Sequence, residues 1–166
     1  MSFRLRYIAT MQIADQKILF SAGDVVNFLE CEHRITLSLE DLIHPLPKAE
    51  EDESAQLVMR KGVEHESAYL AKLEGQGLRI TRIGNGAPTE VARQTIEALR
   101  AGPDIIYQAA FLSGTLYGRA DFLRRIEEPS NLGAYSYEVL DLHYRCLHTG
   151  EKRRPEQGVQ SHSPHL

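Results

Sequence analysis

The residues best suited to chemistry are two aspartates in consecutive segments with a β-strand pattern. Asp121 lies in GRADFLRR (118–125) and Asp141 lies in YSYEVLDL (135–142). If the two segments pair as a hairpin, both carboxylates can converge at one edge of a sheet. Two close carboxylates repel each other, and a hard divalent cation relieves that repulsion because it prefers oxygen ligands. The pair therefore predicts a cation site.

A third candidate ligand is His65, within the helical segment KGVEHESAYL (61–70). A neutral imidazole would add a nitrogen ligand to the two carboxylates, and this mixed set suits Mg²⁺ or Mn²⁺. The alternative is a surface histidine beside Glu64 and Glu66, which the residue pattern alone favours. For the aspartates the alternative is turn chemistry at strand ends, although Asp121 lies in mid-strand between apolar residues, where aspartate is disfavoured.

Length and composition are typical of one globular domain. The chain has 166 residues, of which 42% are hydrophobic and 25% charged. No apolar run approaches the roughly 20 residues that span a bilayer, and the first residues lack the apolar core of a secretory signal, so a cytoplasmic protein is expected. The net charge of -4 argues against coating nucleic acid by bulk electrostatics but leaves a local basic groove open.

The two cysteines, Cys31 and Cys146, are far apart in sequence. They provide neither a disulfide framework nor the four ligands that an iron–sulfur cluster usually takes. We therefore expect isolated thiols.

The elements that position these residues begin with two short strands, predicted within residues 11–20. Met11 is also an alternative start of the protein. Ser21 is predicted to cap a helix, with Asp24 in its first turn. The acidic residues 50–53 predict the start of a second helix that ends near Leu73. The predicted apolar faces are Val25, Val26, Phe28 and Leu29 in the first helix, and Ala55, Val58, Val63, Leu70 and Leu73 in the second.

The second half of the chain changes from a helical period to a period of two. A strand is predicted at 78–83 and a helix from Pro88 that ends near Gly102. Three strand candidates follow, at 104–111, 115–128 and 134–142, with short turns between them. Consecutive strands with short turns form an antiparallel meander, so the predicted fold class is α/β or α+β.

Five segments together resemble the RecB-like nucleases of the PD-(D/E)XK superfamily. They are SAGDVVNFLECEH (21–33), KGVEHESAYL (61–70), IIYQAAF (105–111), GRADFLRR (118–125) and YSYEVLDL (135–142). The resemblance covers about residues 11–142 and implies a restriction-endonuclease-like core, in which helices flank a central mixed sheet. It also implies a domain at 1–142, a tail outside the family at 143–166, and hydrolysis of DNA with Mg²⁺ or Mn²⁺. Partners implied in the same way are DNA and helicase or recombination proteins.

The resemblance also implies roles for single residues. His65, Asp121 and Asp141 match the metal ligands, and the two aspartates are also catalytic. Gln108 and Glu138 match recurrent residues beside the site. The family's catalytic lysine falls at position 143, where this chain has His143. Basic residues of the neighbouring strand are candidates for contacts with DNA phosphates or for a solvated strand face: Arg119, Arg124 and Arg125.

The last residues depart from the family. After Leu142 the chain reads HYRCLHTGEKRRPEQGVQSHSPHL, without the glutamine-containing helix that follows in family members. It holds few apolar residues, which predicts disorder, and His162 and His165 form only a weak metal-binding pattern. The abrupt change suggests a frameshifted or truncated reading frame. Two functions follow: a nuclease impaired at the lysine position, or an inactive relative that only binds metal or nucleic acid.

Overall fold

The computed structural model describes residues 11–47 and 53–140. Within them, four helices accompany a two-stranded sheet and a four-stranded mixed sheet. This confirms a mixed fold of helices and sheet. Some predictions lie outside the described residues: those for Asp141, His143, Cys146 and the tail at 143–166. The structure also leaves open whether the protein starts at Met1 or Met11.

The two short strands predicted in residues 11–20 are β1 (Gln12–Ala14) and β2 (Lys17–Leu19), which pair antiparallel as an N-terminal hairpin. The two turn residues, Asp15 and Gln16, have φ values of 50° and 62°. Two-residue hairpin turns favour left-handed backbone at both central positions because it matches the twist of the strands. Leu19, 4% exposed, anchors the hairpin in the core.

Helix α1 (Ala22–Glu30) begins at the predicted cap. The Asp24 backbone N–H donates to Ser21 Oγ at 3.2 Å, and Asp24 Oδ2 accepts from the Ser21 backbone N–H at 2.7 Å. This reciprocal capping box satisfies donors that the first helical turn leaves without a partner. Both side chains are buried.

The prediction that the apolar face of α1 packs in the core is wrong. Val25, Val26, Phe28 and Leu29 are between 47% and 78% exposed. The chain breaks at Cys31 and continues as α2 (Glu32–Ile43), a helix that the sequence did not predict. Among the described residues, α1 touches mainly this neighbour and one strand of the larger sheet, Leu116–Ile126, so its apolar residues meet no core.

Helix α3 (Glu53–Gly75) has the predicted position, but only part of its predicted inner face is buried. Leu70 and Leu73 are 6% exposed, whereas Val58 is 60% exposed, Val63 is 39% exposed and Ala55 is exposed. The sheet residues that pack on α3 meet only its last turns. The expectation for Ala55, Val58 and Val63 is therefore corrected: periodicity identified the helix but not how much of it the sheet covers.

The larger sheet contains β3 (Ile80–Arg82), β4 (Ile105–Ser113), β5 (Leu116–Ile126) and β6 (Ser136–Leu140), in that spatial order. Helix α4 (Pro88–Ala101) connects β3 to β4, which run parallel. Strands β4, β5 and β6 then pair antiparallel, which confirms the predicted meander. Gly102 ends α4 in the left-handed region, with φ 67°.

Two apolar clusters hold the helices to this sheet. The first joins α4 to the strands through Val91, Ala98, Ile106 and Leu123. The second joins the end of α3 to the strands through Leu70, Leu73, Ile105 and Phe122. The sheet therefore lies between α3 and α4 and fixes where residues of α3 meet β4 and β5.

In the described part of the chain, no helix combines the length and the apolar character required to cross a membrane.

Candidate functional site

The site begins at an irregularity between β4 and β5. Tyr107 pairs with Phe122 and Ala109 pairs with Ala120, but Gln108, between them, has φ 58°. The other described non-glycine residues with positive φ are the two in the hairpin turn. Left-handed backbone costs a residue with a side chain about 1–2 kcal/mol. Surrounding contacts must therefore hold Gln108 in this conformation.

The Gln108 amide joins two carboxylates. Its Nε2 donates to Glu66 Oε1 on α3 and, at 3.3 Å, to Asp121 Oδ1 on β5. Only the NH₂ end of an amide donates hydrogen bonds, so the two carboxylates determine its orientation. All three side chains are half-buried. We call Glu66, Gln108 and Asp121 the carboxylate site.

Tyr107 borders the carboxylate site. Burial, a hydrogen bond with Glu66 and the negative charges of Glu66 and Asp121 together raise the pKa of its phenol to about 12. Its ring lies 5.1 Å from that of Phe122. The phenol therefore stays protonated at neutral pH as a neighbour of Glu66.

Arg119 supports the site from β5. Its Nε and Nη2 donate to the Gln108 carbonyl at 3.2 and 2.8 Å. The same Nη2 lies 3.2 Å from the Ile83 carbonyl and 3.1 Å from that of Gly84. One guanidinium thus gathers three backbone carbonyls, and Arg119 is not free to extend towards a ligand as a flexible surface arginine would be.

Arg124 and Arg125, the other two residues predicted to contact DNA phosphates, lie in different surroundings. Arg125 lies 4.4 Å from the centre of the Tyr135 ring and donates to the Gly102 carbonyl at 3.3 Å. Arg124 is exposed and pairs across the strands with Glu138, which is also exposed. The structure therefore does not gather the three arginines into one patch, and it places Glu138 on a different rung from Asp121.

The helix residue at the site is Glu66, which the sequence did not single out. His65, one position earlier, is exposed on α3. A signal for Glu66 was present: it precedes Leu70 by four and Leu73 by seven residues, which places it on the same helix face. The structure thus brings Asp121 together with Gln108 and Glu66, while His65 lies outside these contacts.

Carboxylate oxygens such as those of Glu66 and Asp121 are the ligands that a hard divalent cation prefers, and in this structure both accept from the Gln108 amide. Within residues 11–47 and 53–140, no three His, Cys, Asp or Glu residues are close enough to hold a metal ion. Strand β6 is described as far as Leu140, which pairs with Phe122 beside Asp121. The predicted ligand Asp141 follows Leu140 in the sequence and lies outside the described residues.

Comparison with known proteins gives no match: no family model fits the chain, and neither a curated protein nor a solved structure is significantly similar to it.

Proposed function

We propose that this chain is a metal-dependent nuclease domain that hydrolyses DNA phosphodiester bonds. The observation that supports the proposal is the sharing of the Gln108 amide by Glu66 and Asp121. Sharing one donor brings two acidic groups from different elements close together, and a cation favours that arrangement further. The choice of DNA hydrolysis as the reaction rests on the resemblance to RecB-like nucleases.

Asp121 and Asp141 are the proposed strand ligands. The last described pair of β5 and β6 joins Phe122 to Leu140. Asp121 directly precedes Phe122 in the sequence, and Asp141 directly follows Leu140. Helix α3 supplies the next ligand, either His65, as the resemblance implies, or Glu66, whose contact with Gln108 makes it the stronger candidate.

Residue 143 determines how active the domain is. A bound Mg²⁺ or Mn²⁺ supplies polarisation of the phosphate and a lower pKa for the attacking water. In the family, a lysine at this position adds fixed positive charge. A histidine side chain is shorter than that of lysine, and its usual pKa of about 6.5 gives it less fixed positive charge at pH 7, so we expect weak cleavage by this chain.

The alternative function is an inactive relative that only binds metal or nucleic acid. Two observations favour it. The lysine position carries histidine. In addition, Arg119 and Arg125 already donate to backbone carbonyls, which leaves Arg124 as the exposed member of the three arginines proposed to contact phosphate.

Cleavage of single- and double-stranded DNA with Mn²⁺ or Mg²⁺ tests the proposal, with the chain compared with His143→Lys. We expect His143→Lys to cleave faster, and Asp121→Asn in the same background to abolish the gain while Mn²⁺ binding weakens. Mn²⁺ binding without cleavage in either chain supports the alternative. If the chain binds no Mn²⁺ and neither chain cleaves, the nuclease proposal is wrong.

A further inference from the structure

Gln108 has a left-handed backbone inside a strand whose pairing register is continuous. The pairs on either side of it, Tyr107 with Phe122 and Ala109 with Ala120, belong to one register. The register is therefore the same before and after Gln108, and the left-handed backbone is confined to the one rung opposite Asp121. Because the left-handed conformation is the costlier one, another group must select it.

Arg119 is placed to make that selection. Two of its nitrogens donate to the Gln108 carbonyl, and Nη2 also reaches the carbonyls of Ile83 and Gly84. Bonds from a charged donor are stronger than neutral ones, and the planar guanidinium holds several acceptors in a fixed geometry that an ammonium group does not provide.

We propose that Arg119 is a positioning residue that holds Gln108 in the left-handed conformation and thereby directs its amide to Glu66 and Asp121. A contact that holds the Gln108 carbonyl restricts its backbone conformation, and the backbone conformation sets the direction in which the side chain leaves the strand towards Glu66 and Asp121. The effect on metal affinity rests on the proposed function; the effect on Gln108 does not.

The metal-free protein tests the first part by NMR. We compare the wild type with Arg119→Lys and Arg119→Met, and read the side-chain NH₂ signals of Gln108 together with its backbone amide-to-α-proton coupling. We expect both variants to give an extended-type coupling and NH₂ signals that exchange with solvent. Arg79→Lys is the matched control, because Arg79 also donates to a backbone carbonyl, that of Gly102 at 2.9 Å, away from the carboxylate site.

Calorimetric titration with Mn²⁺ tests the second part. Loss of a group that orients metal ligands typically costs about 10- to 100-fold in affinity, and we expect a loss of that size in Arg119→Lys but not in Arg79→Lys. If the wild type binds no Mn²⁺ while Arg119→Lys still loses the Gln108 signals, the positioning role stands and the metal site fails. Unchanged Gln108 signals in Arg119→Lys, or collapse of the whole sheet spectrum in both Arg119 variants, overturns the proposal.

Discussion

Gln108 and Asp121 face each other across β4 and β5 on a rung where the backbone pairing is interrupted, and Gln108 Nε2 lies 3.3 Å from Asp121 Oδ1. A side-chain hydrogen bond thus occurs where a regular ladder would have a backbone pair. The strand geometry is altered at Gln108, the residue whose amide donates to Asp121. The irregular backbone is therefore linked to the proposed chemistry.

Glu66 and His65 are adjacent in α3, and their substitution distinguishes the two candidate ligands. We expect Glu66→Gln, which keeps the shape of the side chain but removes its charge, to weaken Mn²⁺ binding by at least about 10-fold. His65→Gln should have a smaller effect because His65 is exposed and lies outside the contacts around Gln108. Calorimetric titration measures both. A larger loss in His65→Gln would instead support the histidine that the family resemblance implies.

Thr95 on α4 supports the backbone close to Gln108. Its Oγ accepts from the Ala110 N–H at 2.8 Å and donates to the Val91 carbonyl at 3.0 Å, and the residue is 1% exposed. Thr95→Val keeps the shape but leaves a buried N–H without its partner, so we expect the free energy of unfolding to fall by about 1–3 kcal/mol. Urea denaturation measures the change.

The matched variant for this position is Thr95→Ser, which keeps the hydroxyl and loses one methyl group. Its expected cost is about 0.8 kcal/mol, the value of one buried methylene. If Thr95→Ser proves as destabilising as Thr95→Val, packing rather than the hydrogen bond to Ala110 determines the contribution of Thr95.

Phe122 is the largest fully buried side chain between α3 and the sheet, and its ring lies 5.1 Å from that of Tyr69 in an edge-on arrangement. We expect Phe122→Ala to reduce the free energy of unfolding by about 3–5 kcal/mol, because it removes apolar contacts and leaves a cavity. Phe111→Ala is the control: Phe111 is 44% exposed, and its loss should cost less than about 1 kcal/mol. Equal losses in chemical denaturation would contradict the packing described for the second cluster.

Tyr137 makes stability depend on pH in the alkaline range. Burial raises the pKa of its phenol to about 12, and its hydroxyl donates to the Pro103 carbonyl at 2.8 Å. An unfolded tyrosine has a pKa of about 10. The unfolded state therefore releases the proton first, and the stabilisation is complete below about pH 10 and is lost as the pH rises to about 12.

Denaturation of Tyr137→Phe across this range measures the effect of the hydroxyl. We expect the wild type to be the more stable protein at neutral pH and the difference between the two to shrink as the pH rises. A difference that stays constant from neutral to alkaline pH would show that the Tyr137 phenol does not titrate differently in the folded and unfolded states.

Local sequence rules predicted the parts of the fold that local physics determines. The cap at Ser21, the stop at Gly102 and the meander that carries Asp121 all follow from side-chain hydrogen bonding, backbone freedom or a period of two. The residues that meet across elements were harder to predict. Apolar spacing included Val58 and Val63 in the inner face of α3, although the sheet covers only the last turns of that helix.

The site itself was predicted only in part. Asp121 was identified because a carboxylate in mid-strand is unusual, and Gln108 only through the resemblance. Glu66 was not predicted because the neighbouring His65 was chosen as the metal ligand of the helix. The spacing to Leu70 nevertheless places Glu66 on the packed face. The left-handed backbone of Gln108 depends on Arg119, eleven residues later in the sequence, and no local pattern of the strand predicts such a contact.

The N-terminal hairpin is attached to the larger sheet through main-chain atoms. Phe20 donates to the Thr115 carbonyl at 2.7 Å and accepts from the Tyr117 N–H at 2.8 Å. Every residue except proline carries these groups, so these two hydrogen bonds do not depend on which side chains the residues carry, whereas the buried Leu19 side chain supplies the apolar part of the attachment. Sequence drift at exposed positions such as Thr115 can therefore leave these bonds intact, while proline at position 20 or 117 would remove one of them.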